Sequence, residues 1–192
     1  MTETPNPHIV NADTMTGEMR PIKRVALSLG SNLGERQQNL LGGISALADT
    51  PDIVVVDVSP VYESASVGGP ADAPAFLNVV LIGDTTLSPH TLLDRCQAIE
   101  DAFGRTRGEP NAPRTLDVDL LVVGEQKLQD DDLVLPHPRA HERAFVLQPW
   151  LDVDPEAYLP GRGWVADLLA DLADEDASST LVRRDDRAVS LD

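Results

Sequence analysis

The chain has 192 residues, 42% of them hydrophobic, and a formal charge of -17 from 32 acidic and 15 basic side chains. That much apolar material suits one domain with a packed core and excludes a chain disordered throughout. So large an acidic excess excludes a general nucleic-acid or anionic-membrane binder, which needs a basic face, although arginines gathered in a cleft can still receive an anionic small molecule.

In chain order, residues 1–21 are polar and lack periodicity, which predicts a flexible leader before a domain over 22–173. Residues 24–28, "RVALS", begin a strand that ends in the turn "LGSNLGE". Leu40, Ile44 and Leu47 share one face of a helix over 36–48, closed by Pro51. Residues 53–58 are β-branched and strand-like; 63–74 have loop chemistry; 76–82 form the next strand. Ser88-Pro89 starts a second helix, with a capping hydroxyl and then proline at the first helical position. Leu92, Cys96, Ile99 and Phe103 trace its apolar face, and Gly104 ends it. The stretch "RTRGEPNAPR" leads into a strand over 113–124; residues 129–132 make an acidic loop, 133–150 return to the core, and 165–172 suit a short final helix. From residue 174 the chain reads as an acidic tail.

The order β-α-β-β-α-β predicts an α+β protein of ferredoxin-like arrangement: an antiparallel sheet with helices on one face, plus a C-terminal extension. The single Cys96 permits no internal disulfide and fits a reducing compartment. No apolar run reaches membrane-span length and no charged-then-apolar leader opens the chain, so a cytoplasmic protein without a membrane partner is expected.

The chemistry concentrates in "PRTLDVDLLVVG". Asp117 and Asp119 stand two apart in an apolar strand, so both carboxylates point the same way, ~6.6 Å apart along the chain. The plain alternative is an exposed strand face with two solvated acids. The apolar neighbours argue for a cation instead, and Mg²⁺ takes one or two carboxylates together with substrate phosphates. Arg105, Arg107 and Arg114 lie just before the pair. Alone they would merely solvate a loop; beside paired acids they suit phosphate, which arginine binds in a fork. Neither G-x-x-x-x-G-K-[ST] nor G-x-G-x-x-G is present, and "GSNLG" has the wrong spacing for either. His137 and His141 stand four apart, as zinc ligands on a helix would, but Pro138 disfavours a helix through them; a phosphate-contact or structural role is the alternative.

Taken together, "SLGSNLGER", "FLN", "IE", "GRTR", "PRTLDVDLL" and "LPHPRAHERAFVLQPW" resemble the 6-hydroxymethyl-7,8-dihydropterin pyrophosphokinase family of folate synthesis, from about residue 24 to 158. The resemblance implies pyrophosphoryl transfer from ATP to the hydroxymethyl of a reduced pterin, with release of AMP. It implies two Mg²⁺ on Asp117 and Asp119, and phosphate contacts from Arg105, Arg107, Arg114 and Arg143, of which Arg105 and Arg114 also serve catalysis. His137 matches a histidine near the nucleotide, and Glu100 an acid under the site. Asn78, Phe76 and Phe145 match the amide and aromatics that hold the pterin; Ser64, Ala65 and Val67 align with the pterin-side loop. Arg139 matches no phosphate ligand. The chain departs from the pattern at Pro110, Asn111 and Ala112, where many members carry Arg-Trp-Gly. The implied partners are small molecules, reduced pterin and ATP, acting on a monomer. The alternatives are a non-catalytic pterin- or nucleotide-binding relative that regulates a pathway partner, and an unrelated Mg²⁺-dependent nucleotidyl enzyme.

Overall fold

The computed structural model describes residues 20–66, 73–104, 113–175 and 181–189. The leader up to residue 19, Val67, Arg105, Arg107, Pro110, Asn111 and Ala112 lie outside the described residues.

β1 (Lys23–Ser31) is an interior strand, flanked by β4 (Phe76–Thr85) and β5 (Asp117–Val123), both antiparallel to it. β2 (Ile53–Val58) and β3 (Tyr62–Ser64) pair with successive halves of β4. α1 (Arg36–Ala48) joins β1 to β2, and α2 (Pro89–Ala102) joins β4 to β5. This is the ferredoxin-like order expected from the sequence with one strand added: β3 forms at the start of the stretch expected to be loop, where its backbone pairs with the first residues of β4. The strand expected from residue 113 begins at Asp117; residues 113–116 lead into it.

Alternation along the strands divides the core in two. Val25, Leu27 and Leu29 of β1 meet Leu40, Ile44 and Leu47 of α1 and Leu92, Cys96 and Ile99 of α2. The two helices draw close because α1 carries glycine at the crossing: a Cβ at Gly42 would fall 2.5 Å from the Phe103 ring, and one at Gly43 2.9 Å from Leu116. Ser88 caps α2 as expected, its Oγ accepting the Thr91 N–H (3.2 Å).

The opposite face carries Ala26, Val80 and Ile82, which are as apolar as the first and need cover as well. The C-terminal extension supplies it. α3 (Ala144–Val153), the β8–β9 hairpin (Tyr158–Leu159, Gly163–Trp164) and α4 (Val165–Glu175) pack Val146, Leu147, Trp150, Leu159 and Val165 there. Helices on one face therefore describes α1 and α2 only; with the extension the protein has three layers. Between β5 and α3 lies a small hairpin, β6 (Leu128–Gln129) and β7 (Val134–Leu135).

The chain end also departs from a trailing acidic tail. α4 runs to Glu175, and β10 (Leu181–Arg183) extends the sheet by pairing with β3. Val189 is buried in the first core. An otherwise open edge of β3 offers backbone groups to pair, and the local arginines find acids, so a charged segment can still belong to the sheet.

Candidate active site

The second face is not covered along its whole length. Beyond Ala26, Val80 and Ile82 the same row of positions turns polar. Register sets Asn78, Gly30 and Asp117 side by side across β4, β1 and β5, and Ser28 beside Asp119 one step along. These residues floor a cavity of about 220 Å³. Its walls are Ser64, Ala65, Ser66 and Phe76 on one side, and Arg114, His137, Arg139, Glu142, Arg143 and Phe145 on the other.

Asp117 and Asp119 both face this cavity, as alternation requires. Each already has a cationic neighbour. Arg114 Nη1 donates to both oxygens of Asp117 (2.8 and 2.9 Å). Arg143 Nη1 donates to Asp119 Oδ2 (3.2 Å), and His137 Nε2 lies 3.8 Å from the same oxygen. Burial, and then the charge of Asp117, push the Asp119 carboxyl above the usual carboxylate range, while His137 and Arg143 oppose them. Two close carboxylates facing one hollow, one of them held unfavourably charged, form a donor set that a hard divalent cation would relieve. They therefore fit Mg²⁺ arriving with phosphate oxygens.

His137 accepts the Arg139 N–H at Nδ1 (3.1 Å), and its own N–H donates to the Leu121 carbonyl (2.8 Å). With Nδ1 an acceptor, the neutral ring carries its proton on Nε2, toward Asp119. Burial pulls the imidazole below its ordinary value, against the pull of Asp119. Residues 140–142 form a turn of 3₁₀ helix, and His137 lies before it, so the two histidines do not share the α-helical face that the zinc reading requires.

Asn78 is buried and donates through Nδ2 to Ser64 Oγ (2.9 Å) and the Tyr62 carbonyl (3.4 Å). Its Oδ1 lies over the floor, 3.4 Å from where a Cβ on Gly30 would stand, with the Phe76 ring at the same distance. Phe145 lies on the far wall with the Arg143 guanidinium 5.7 Å from its centroid.

Glu100 does not line the cavity. It is buried at 2% exposure, and its Oε1 accepts the N–H of Val118 (2.7 Å), the residue between the two aspartates. It thus acts on the strand from beneath. Among the residues implied by the resemblance, Arg105, Arg107 and Val67 lie outside the described residues, and the others except Glu100 line the one cavity.

The sequence reading passed over Ser28, Gly30, Ser66 and Glu142, all in the lining, and Asn32 behind it; Arg139, set aside there as matching no phosphate ligand, also stands in the lining. Asn32 is buried, accepts the Arg114 N–H at Oδ1 (2.7 Å), donates its own N–H to the Arg114 carbonyl (3.1 Å) and reaches the Pro74 carbonyl from Nδ2 (3.3 Å). The "GSN" segment, the last two residues of β1 and the one after them, was the signal: it is no phosphate loop and no turn, but it supplies a bare floor and a clamp. A second hollow of about 230 Å³ adjoins Asp119 and His137, with Leu93, Leu120, Leu133 and Val134 as its apolar walls and Asp130–132 at its rim.

A Pseudomonas aeruginosa protein named 2-amino-4-hydroxy-6-hydroxymethyldihydropteridine pyrophosphokinase is 44% identical over 149 residues, which is 78% of this chain and 91% of that one. A Mycobacterium tuberculosis protein of the same name is 42% identical over 174 residues, 84% of this chain and 90% of the other. Among solved structures, Plasmodium falciparum HPPK-DHPS with pterin and p-hydroxybenzoate shares the fold at a TM-score of 0.64 and 13% identity. That likeness covers 82% of this chain and 44% of the longer Plasmodium chain. Residues 26–155 match the family profile described as 7,8-dihydro-6-hydroxymethylpterin-pyrophosphokinase (HPPK), and this chain belongs to that family.

Proposed function

We propose that the protein transfers the pyrophosphoryl group of ATP to the hydroxymethyl oxygen of 6-hydroxymethyl-7,8-dihydropterin, releasing AMP, as a step of folate synthesis. The bond from the pterin oxygen to the β-phosphorus forms, the bond from that phosphorus to the α,β-bridging oxygen breaks, and the hydroxyl proton is lost. The carrying observation is one cavity that joins Asn78, Phe76 and Phe145 to Asp117, Asp119, Arg114 and Arg143.

Each side suits one substrate. A pterin is flat with polar edges, so aromatic walls and a buried amide match it. The open hollow beside His137 suits a purine base next to the phosphates. Asp117 and Asp119 would hold Mg²⁺, which would supply charge neutralisation for the triphosphate. Arg114 and Arg143 pair with those carboxylates in the free protein, and each can turn to phosphate once the acids have a metal. Such transfer needs alignment and charge neutralisation more than covalent help, and this chain supplies both. Arg105 and Arg107 add phosphate contacts in this reading. In this reading the protein works as a monomer, and its single cysteine, Cys96, buried and free, is in keeping with the cytoplasm.

The test is to mix protein, Mg²⁺, ATP and 6-hydroxymethyl-7,8-dihydropterin and to follow AMP and the pterin diphosphate, with other hydroxyl acceptors in parallel arms. Product from the reduced pterin alone is expected. Both ligands binding without product would favour the non-catalytic relative; product from unrelated acceptors would favour a general nucleotidyl enzyme.

A further inference from the structure

The end of the chain closes the sheet edge beside the cavity. Along β3, Leu181 stands opposite Ser64, Val182 opposite Glu63 and Arg183 opposite Tyr62. One residue on, the Arg184 N–H donates to the Val61 carbonyl (2.8 Å). The Arg184 side chain gives Nη1 to Glu63 Oε2 (2.7 Å) and its other nitrogens to Asp186 (3.0 Å each). The same Glu63 oxygen lies 3.4 Å from Nη2 of Arg36, and Arg36 Nη1 donates to the Ala75 carbonyl (2.6 Å). Ala75 directly precedes Phe76, the aromatic of the cavity wall.

None of these three charged side chains lines the cavity, yet each is only about a quarter exposed (25%, 27% and 24% for Arg36, Glu63 and Arg184). Partly desolvated charge-assisted bonds hold geometry better than surface pairs do. The distances rank the bonds. Glu63 is committed to Arg184 and only loosely to Arg36, which leaves Arg36 free to grip Ala75. Without Arg184 the Glu63 carboxylate has Arg36 as its remaining cation in this set. It would close on that guanidinium and turn it away from the Ala75 carbonyl.

We propose that Arg184, Glu63 and Arg36 are positioning residues through which the C-terminal strand sets the pterin-side wall. Arg184 keeps Glu63 off Arg36, and Arg36 fixes the backbone ahead of Phe76. The chain end thereby tunes pterin affinity without touching the pterin. This rests on the pterin reading of the cavity.

The test uses the full chain and measures pterin binding in the absence of ATP, KM for each substrate, kcat and melting temperature. Arg184→Ala is expected to weaken pterin binding and raise pterin KM by about three- to tenfold, with ATP KM and kcat within about twofold. Arg184→Lys should recover part of the loss. Adding Glu63→Gln to Arg184→Ala should restore pterin affinity, because an uncharged amide no longer draws Arg36 away. A merely structural role would not give that rescue. Should Arg184→Ala fail to fold, Arg184→Gln carries the same expectation. Unchanged pterin affinity in a folded Arg184 variant overturns the proposal. So does a parallel rise in ATP KM, or a double variant worse than the single. Failure of the wild-type protein to bind pterin would instead overturn the reading of the cavity.

Discussion

Adding one methyl group at Gly30 separates the cavity's role from the fold's. Gly30 lies mid-sheet between Asn78 and Asp117, and its φ is not positive, so alanine meets no backbone penalty. Its Cβ would stand 3.4 Å from both Asn78 Oδ1 and the Phe76 ring, ordinary van der Waals contact. Loss of glycine's freedom in the unfolded chain should raise stability by about 0.4–1 kcal/mol. The same methyl occupies the floor of a 220 Å³ cavity. A misfit of one methylene in a close site is worth about 1–3 kcal/mol, or ~10–200-fold in affinity. Gly30→Ala should therefore melt at or above the wild-type temperature while pterin binding, followed by titration calorimetry, falls at least about tenfold. MgATP binding should change little. A folded variant with wild-type pterin affinity would show that the ring does not lie on this floor.

Asp117→Asn and Asp119→Asn should each lower AMP release by ~10²-fold or more, with the fold retained. For Asp119→Asn, the partly buried charge that Asp117 disfavours is gone, so the melting temperature should not fall; near-normal turnover in both variants would refute the metal assignment. Tyr62 donates to Asp152 (2.7 Å), and burial, then that bond, push its phenol up to about 12. The neutral phenol favours the folded state, so its stabilisation is complete below the ordinary tyrosine value near pH 10 and fades as pH rises through 12. In a Tyr158→Phe background, ultraviolet titration should place ionisation there, and Asp152→Asn should lower it; no change on that substitution refutes the cause. Burial also pushes the Cys96 thiol up to about 12, so a disulfide reagent should modify it only as fast as the protein opens. Rapid reaction under native conditions would contradict its place in the core.

Helix α1 and the start of α2 were legible because their signals are local. Leu40, Ile44 and Leu47 recur at helical spacing, and Ser88-Pro89 is a capping pair that acts within one turn. The strand pairing was implied by element order, and the aspartates' common face by the period of two. Asn32 and Gly30 were not legible as site residues. One acts through Arg114 and Pro74, 82 and 42 positions away, and the other by lacking a side chain against Asn78 and Phe76.

The chain end was misread for a related reason. Charge and composition suggested a tail, while the match between Arg184 and Glu63, 121 residues apart, is a fact of space. The sequence alone determined the main helices and long strands, the paired acids and the family, because propensity, periodicity and motif spacing act along the chain. Tertiary structure decided that the second sheet face is covered, where that cover stops to leave a cavity, and which arginine meets which acid. Those outcomes depend on distances between segments remote in sequence, which local preferences do not encode.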